Sequence, residues 1–82
     1  MNKPYKVTFV TSSQSDVIPR VTDLARDFGG SVSRNTVRNR VGAARRGEYR
    51  FATKANAELF LTQLNRRARV WQISDREITS LR

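Results

Sequence analysis

Eighty-two residues suffice for one small domain and leave little room for a second. Basic side chains outnumber acidic ones 16 to 7, for a net charge of +9, and 38% of the residues are hydrophobic. The chain has neither Cys nor His, which excludes a disulfide framework, thiolate or Ser-His-Asp catalysis and the usual zinc ligand sets.

Met1-Asn2-Lys3-Pro4-Tyr5 lacks the apolar stretch of a secretory signal, and no apolar run approaches the roughly 20 residues of a membrane helix. A soluble, cytoplasmic protein with no membrane partner is expected. From Tyr5 to Thr11 the residues alternate, Tyr5, Val7 and Phe9 against Lys6, Thr8 and Val10, which predicts a half-buried strand. The polar loop 11–15 leads to a helix capped by Ser15 or Asp16, with Pro19 tolerated in its first turn. Val17, Val21, Leu24, Ala25 and Phe28 form its apolar stripe, and Gly29-Gly30 ends it.

Ser31 to Val41 predicts a bulged or weak edge strand, because Val32, Val37 and Val41 do not share one parity. Residues 42–47 read as a hairpin connection, and Glu48 to Thr53 as the next strand, with Tyr49 and Phe51 on one face and Glu48 and Arg50 on the other. A second helix is predicted from Lys54 to Arg67, capped by Thr53, with the buried stripe Ala57, Phe60, Leu61, Leu64 and Ala68. Arg66 and Arg67 suit the negative end of its dipole. A last strand is expected over Arg69–Ser74. The spacing of Ser74-Asp75-Arg76-Glu77 then predicts a closing helical turn using Ile78 and Leu81.

The order β-α-β-β-α-β, with one apolar stripe per helix, predicts a single α+β sandwich over residues 1–82. Two helices cover one face of a four-stranded antiparallel sheet in the split βαβ, or ferredoxin-like, arrangement. The other face is left to solvent or a partner.

Charge is concentrated in the middle of the chain. Arg34, Arg38, Arg40, Arg45, Arg46 and Arg50 face one acid, Glu48, giving +5 over residues 31–50. Guanidinium forks grip phosphate oxygens bidentately, and each neutralised phosphate releases counterions. Lys6 extends this patch, and Arg66, Arg67 and Arg69 form a second cluster. The competing reading is a solvated face whose charges protect a sheet edge and aid solubility.

Arg46-Gly47-Glu48-Tyr49-Arg50-Phe51 resembles the third-strand signature of RNA-recognition-motif domains. Tyr5-Lys6-Val7-Thr8-Phe9-Val10 sits where their first-strand signature lies, and Ala57 through Asn65 resembles their second helix. The resemblance implies an RRM-like fold and RNA binding. The family's exposed stacking aromatics are replaced here by Glu48 and Arg50, and by Lys6 or Thr8, so the base-stacking platform is missing. Arg50 retains a planar group able to stack on a base.

Trp71 has two readings. It points with Ile73 to the open sheet face, where it stacks a base or anchors a protein interface, or it is core packing. Asp23 and Asp27, spaced i, i+4, are either a divalent-ion pair or a solvated face paired with Arg20 and Arg26. Small ferredoxin-like nucleases carry an aspartate at the end of the first strand, whereas Phe9-Val10-Thr11-Ser12-Ser13 has no acid. With no general base beside the serine loop and no glycine-rich phosphate loop, no enzyme activity, metal or cofactor is expected.

The expected function is a small basic nucleic-acid-binding protein of low sequence specificity, using Lys6, Arg34, Arg38, Arg40, Arg45, Arg46, Arg50, Arg66, Arg67, Arg69 and Trp71 over the hairpin and open face. RNA or single-stranded DNA is favoured over duplex DNA as the partner. The alternative is an interaction module or inhibitor that docks its basic face on an acidic protein. Either a monomer or a homodimer fits, with Val10, Val37 and Ile73 as apolar contacts.

Overall fold

The computed structural model describes residues 3–12, 17–37 and 45–81. Its elements are β1 (Tyr5–Thr11), α1 (Val17–Asp27), β2 (Ser31–Val37), β3 (Arg45–Phe51), α2 (Lys54–Arg67) and β4 (Ile73–Ser80). The strands form one open sheet in the order β2-β3-β1-β4, with antiparallel neighbours throughout. This is an α+β fold whose two central strands are β3 and β1.

Alternation decides which face is covered. Val7, Phe9 and Thr11 on β1 pair with Tyr49, Gly47 and Arg45 on β3. Val7, Phe9, Tyr49 and Phe51 are wholly buried with Val21 and Ala25 of α1 and Ala57, Phe60 and Leu64 of α2, so both helices cover this one face. The rings interlock: Phe9 stacks on Tyr49 at 5.9 Å between centroids, and Phe60 meets Tyr49 and Phe51 at 5.6 and 5.0 Å. Such pairs add roughly 0.5–1.5 kcal/mol each beyond their buried area. Gly47 has room only for hydrogen, because a Cβ there would enter the Phe9 ring. The buried Tyr49 hydroxyl is satisfied by Thr22 Oγ1 at 2.9 Å.

The helices form as their stripes and caps dictate. Leu24 and Phe28 complete the α1 stripe as half-buried residues, as Leu61 and Ala68 do for α2. Thr53 Oγ1 accepts from the Asn56 N–H at 3.2 Å and caps α2. Beyond α1, Gly29 takes φ +76°, and the Gly30 N–H donates to the Ala25 carbonyl at 2.8 Å in a Schellman closure. The Ser15 and Asp16 caps expected for α1 lie outside the described residues. β2 is an edge strand whose register shifts between Val32 and Arg34, as its broken parity predicts.

The C-terminal third departs from the sequence expectation. Residues 69–72 are not a strand: after Arg67 the chain makes one more helical turn. The Trp71 N–H donates to the Arg67 carbonyl, and the Ile73 N–H to the Ala68 carbonyl, both at 2.8 Å. This is a second Schellman closure, with Gln72 at φ 54° in the place where α1 uses glycine. Leu64, Ala68 and Trp71 continue the α2 stripe at helical spacing, which outweighs the β-forming character of Val70 and Trp71. Ile73 then faces the core at 6% exposure, opposite Thr11, so it is not an open-face contact for a second copy. The expected closing helical turn is also replaced by strand: β4 runs on to Ser80, with a register irregularity opposite the Thr8–Val10 stretch and Asp75 at φ 54°.

Candidate functional site

At the end of β1, the turn that joins α2 to β4 is fastened to the sheet. The Thr11 hydroxyl donates to the Trp71 carbonyl at 2.6 Å. The Ser12 N–H donates to the Gln72 carbonyl at 3.1 Å, and the Ser12 hydroxyl to Gln72 Oε1 at 2.9 Å. Thr11 pairs with Arg45 at the start of β3. The turn leads into β4 on one side of β1 and Arg45 lies on β3 on the other, so about two strand spacings, roughly 10 Å, separate the fastened turn from the start of β3. Arg45 and Arg46, distant in sequence from Arg66, Arg67 and Arg69, share one end of the molecule with them. Arg45 and Arg67 are half-buried; Arg46, Arg66 and Arg69 are exposed.

Within this end Arg67 is the most constrained arginine. Its Nη1 donates to Gln63 Oε1 at 2.7 Å and to the Gln63 carbonyl at 3.3 Å. Its guanidinium carbon lies 5.5 Å from the centroid of the Trp71 ring. Trp71 is half-buried against the core, with Arg67 over its ring, so it is packing and a platform for Arg67 rather than an open-face base platform. The exposed apolar residue of this turn is Val70, at 78%.

Arg34 lies in register opposite Glu48 on β3. Arg38 and Arg40 lie outside the described residues.

The open sheet face carries rows of alternating sign. Arg50, Lys6 and Thr79 lie in register, then Glu48, Thr8 and Glu77, then Arg46 and Val10. Thr8 is 96% buried between its acidic neighbours, with 4% exposure. Beside them Thr8, Val10, Arg46, Asp75 and Glu77 line a shallow depression of about 260 Å³. Glu48 accepts from the Ser33 hydroxyl at 2.8 Å. Arg50 and Lys6 lie four residues along the strands from Arg46 and Val10, about 13 Å away, toward the opposite end. There Arg50 Nε donates to the Lys3 carbonyl at 3.2 Å, and Lys3 Nζ to the Gly29 carbonyl at 3.2 Å. Among the described residues, Arg45, Arg46, Arg66, Arg67 and Arg69 thus share one end, whereas Lys6 and Arg50 lie toward the other. The structure unites the hairpin start with the α2 end and sets Lys6 and Arg50 apart.

Sequence reasoning missed Thr11, Ser12, Gln63 and Gln72, which build the basic end without contributing charge. A signal for one of them exists: Gln63, Arg67 and Trp71 are spaced i, i+4, i+8, one above another on a helix.

The α1 carboxylates behave as a solvated face. Asp23 lies 3.9 Å from Arg26, with both side chains largely exposed. Among the described residues no group of three or more His, Cys, Asp or Glu side chains is placed to hold a metal ion. No helix there is long and apolar enough to cross a membrane. Comparison with protein-family models gives no match, and comparison with curated proteins gives none either.

Proposed function

We propose that this chain is a ferredoxin-like, non-catalytic nucleic-acid-binding domain that grips a phosphate backbone at one end of its sheet. The strand order β4-β1-β3-β2, with both helices on one face, is compatible with that fold. The observation that carries the functional reading is the meeting of two arginine clusters, Arg45 and Arg46 with Arg66, Arg67 and Arg69, across the Thr11–Trp71 hydrogen bond. Each cluster alone is an ordinary solvated patch. Together they present a field able to neutralise several neighbouring phosphates and to draw a polyanion in.

The open face contributes less than the charge total suggests, because Glu48 and Glu77 cross its middle row. RNA or single-stranded DNA remains the favoured ligand, since a flexible strand can follow a curved end where a stiff duplex touches fewer arginines. Phosphate contacts dominate and sequence preference is low.

The test is fluorescence anisotropy with labelled single-stranded RNA, single-stranded DNA and duplex DNA at two salt concentrations. The wild-type chain is compared with the Arg38→Ala, Arg40→Ala, Arg45→Ala, Arg46→Ala variant. The reading requires micromolar or tighter binding near physiological salt and a shallower salt slope in the variant. Unchanged affinity in the variant removes it.

A second reading is docking on an acidic protein, and the exposed Val70 beside Arg69 favours it, since protein interfaces combine apolar and charged contacts. A partner captured from lysate that survives nuclease treatment supports this reading; one lost to nuclease supports the first.

A further inference from the structure

Of the arginines at the basic end, Arg67 is held in place before any ligand arrives. Both hydrogens of its Nη1 are engaged by Gln63, one by Oε1 at 2.7 Å and one by the carbonyl at 3.3 Å. The guanidinium carbon lies over the Trp71 ring, 5.5 Å from its centroid, within cation–π range. A guanidinium has five N–H donors in a fixed plane. With Nη1 engaged, the unspent donors are those of Nε and Nη2, which lie side by side on one edge and have no acceptor among the described residues. That edge matches the spacing of two oxygens of a phosphodiester.

The end of a helix ordinarily repels an anion, because its last carbonyls carry partial negative charge. Here three carbonyls at and just beyond the helix end accept backbone N–H bonds. Ala68 N–H bonds the Asn65 carbonyl at 3.4 Å, Trp71 N–H the Arg67 carbonyl and Ile73 N–H the Ala68 carbonyl. Arg66 and Arg69, both exposed, flank Arg67 and offset what remains.

We propose that Arg67 is the anchor of the basic end: its Nε–Nη2 edge takes one backbone phosphate of a nucleic-acid strand bidentately, with Gln63 and Trp71 as positioning residues. This inference rests on the nucleic-acid reading above. Arg45, Arg46, Arg66 and Arg69 act as longer-range, exchangeable charges around it, which distinguishes the roles: Arg67 depends on geometry, and its neighbours on charge alone.

Charge-conserving variants separate the two roles. Lysine keeps the charge but has neither the fork nor the plane, and it cannot reproduce the two Nη1 bonds to Gln63. Arg67→Lys is expected to weaken binding of single-stranded RNA roughly tenfold at fixed salt, the scale of losing one charge-assisted bidentate contact. Arg69→Lys is expected to leave affinity within about twofold of wild type, as befits an exposed point charge. Gln63→Ala keeps the arginine and loosens it, so an intermediate loss is expected. Circular dichroism and thermal melts of each variant check that the helix is intact. Equal binding by Arg67→Lys and Arg69→Lys, with wild type binding, overturns the anchor and leaves the nucleic-acid reading standing. Failure of wild type to bind any strand overturns both.

Discussion

The hydroxyl of Thr11, at the end of the central strand, donates to the carbonyl of Trp71 in the turn after α2, across 2.6 Å and 60 residues of sequence. This bond fastens the turn that follows the α2 arginines to the strand that neighbours Arg45. Thr11→Val keeps the shape and removes the donor. It is expected to cost about 1–2 kcal/mol, because the Trp71 carbonyl loses a partner in a part-buried setting. Urea denaturation gives the stability, and strand affinity should fall although no charge has changed.

Gly47 sits beneath the Phe9 ring, which occupies the place a Cβ would need. Gly47→Ala should therefore destabilise the fold, by roughly 1–3 kcal/mol as for other overpacked cores. A lowered denaturation midpoint with an unchanged slope is the expected signature. A stability equal to wild type would mean that the sheet yields at this point.

Asp75 holds φ 54° on an exposed stretch of β4, where a side chain incurs a left-handed penalty that glycine does not. Asp75→Gly is expected to raise stability by up to about 1 kcal/mol. It also removes a carboxylate near Arg46 on the open face. Strand binding should strengthen slightly. A thermal melt and an anisotropy titration read the two effects separately.

Thr53 supplies the cap of α2 through its bond to the Asn56 N–H. Thr53→Ala should lower stability by about 1 kcal/mol. The loss should appear in thermal melting with affinity preserved once the protein is folded, because α2 begins at the end of the molecule away from the two arginine clusters.

The two Schellman closures explain what the sequence discloses and what it conceals. After α1 the left-handed position is Gly29, and the helix end is legible. After α2 it is Gln72, which carries no such signal, while Val70 and Trp71 favour strand on local propensity. The last strand is therefore expected four residues early, and Trp71 acquires a choice of sheet faces that it does not have. The helical recurrence through Leu64, Ala68 and Trp71 was the better guide. The covered face of the sheet is legible in the alternation of β1 and β3, because register fixes every side chain once one row is buried. The basic end was only half legible. In a β-α-β-β-α-β order, the β2–β3 connection and the end of α2 lie at the same end, so the meeting of the clusters follows from topology. The bonds that tie the turn after α2 to the end of β1, between the clusters, belong to Thr11, Ser12 and Gln72, polar residues with no local signature.

On the proposed reading the two arginine clusters act as a single phosphate-binding surface. The most direct measurement is the salt dependence of single-stranded RNA affinity for wild type, for the Arg45→Gln, Arg46→Gln variant, for the Arg66→Gln, Arg69→Gln variant and for all four changes together. Each double variant should weaken binding and lower the slope by up to about 1.4, the value for two lost contacts on a single strand. The fourfold variant should nearly abolish binding. Wild-type affinity in the Arg66→Gln, Arg69→Gln variant, with loss confined to the hairpin variant, would contradict the claim.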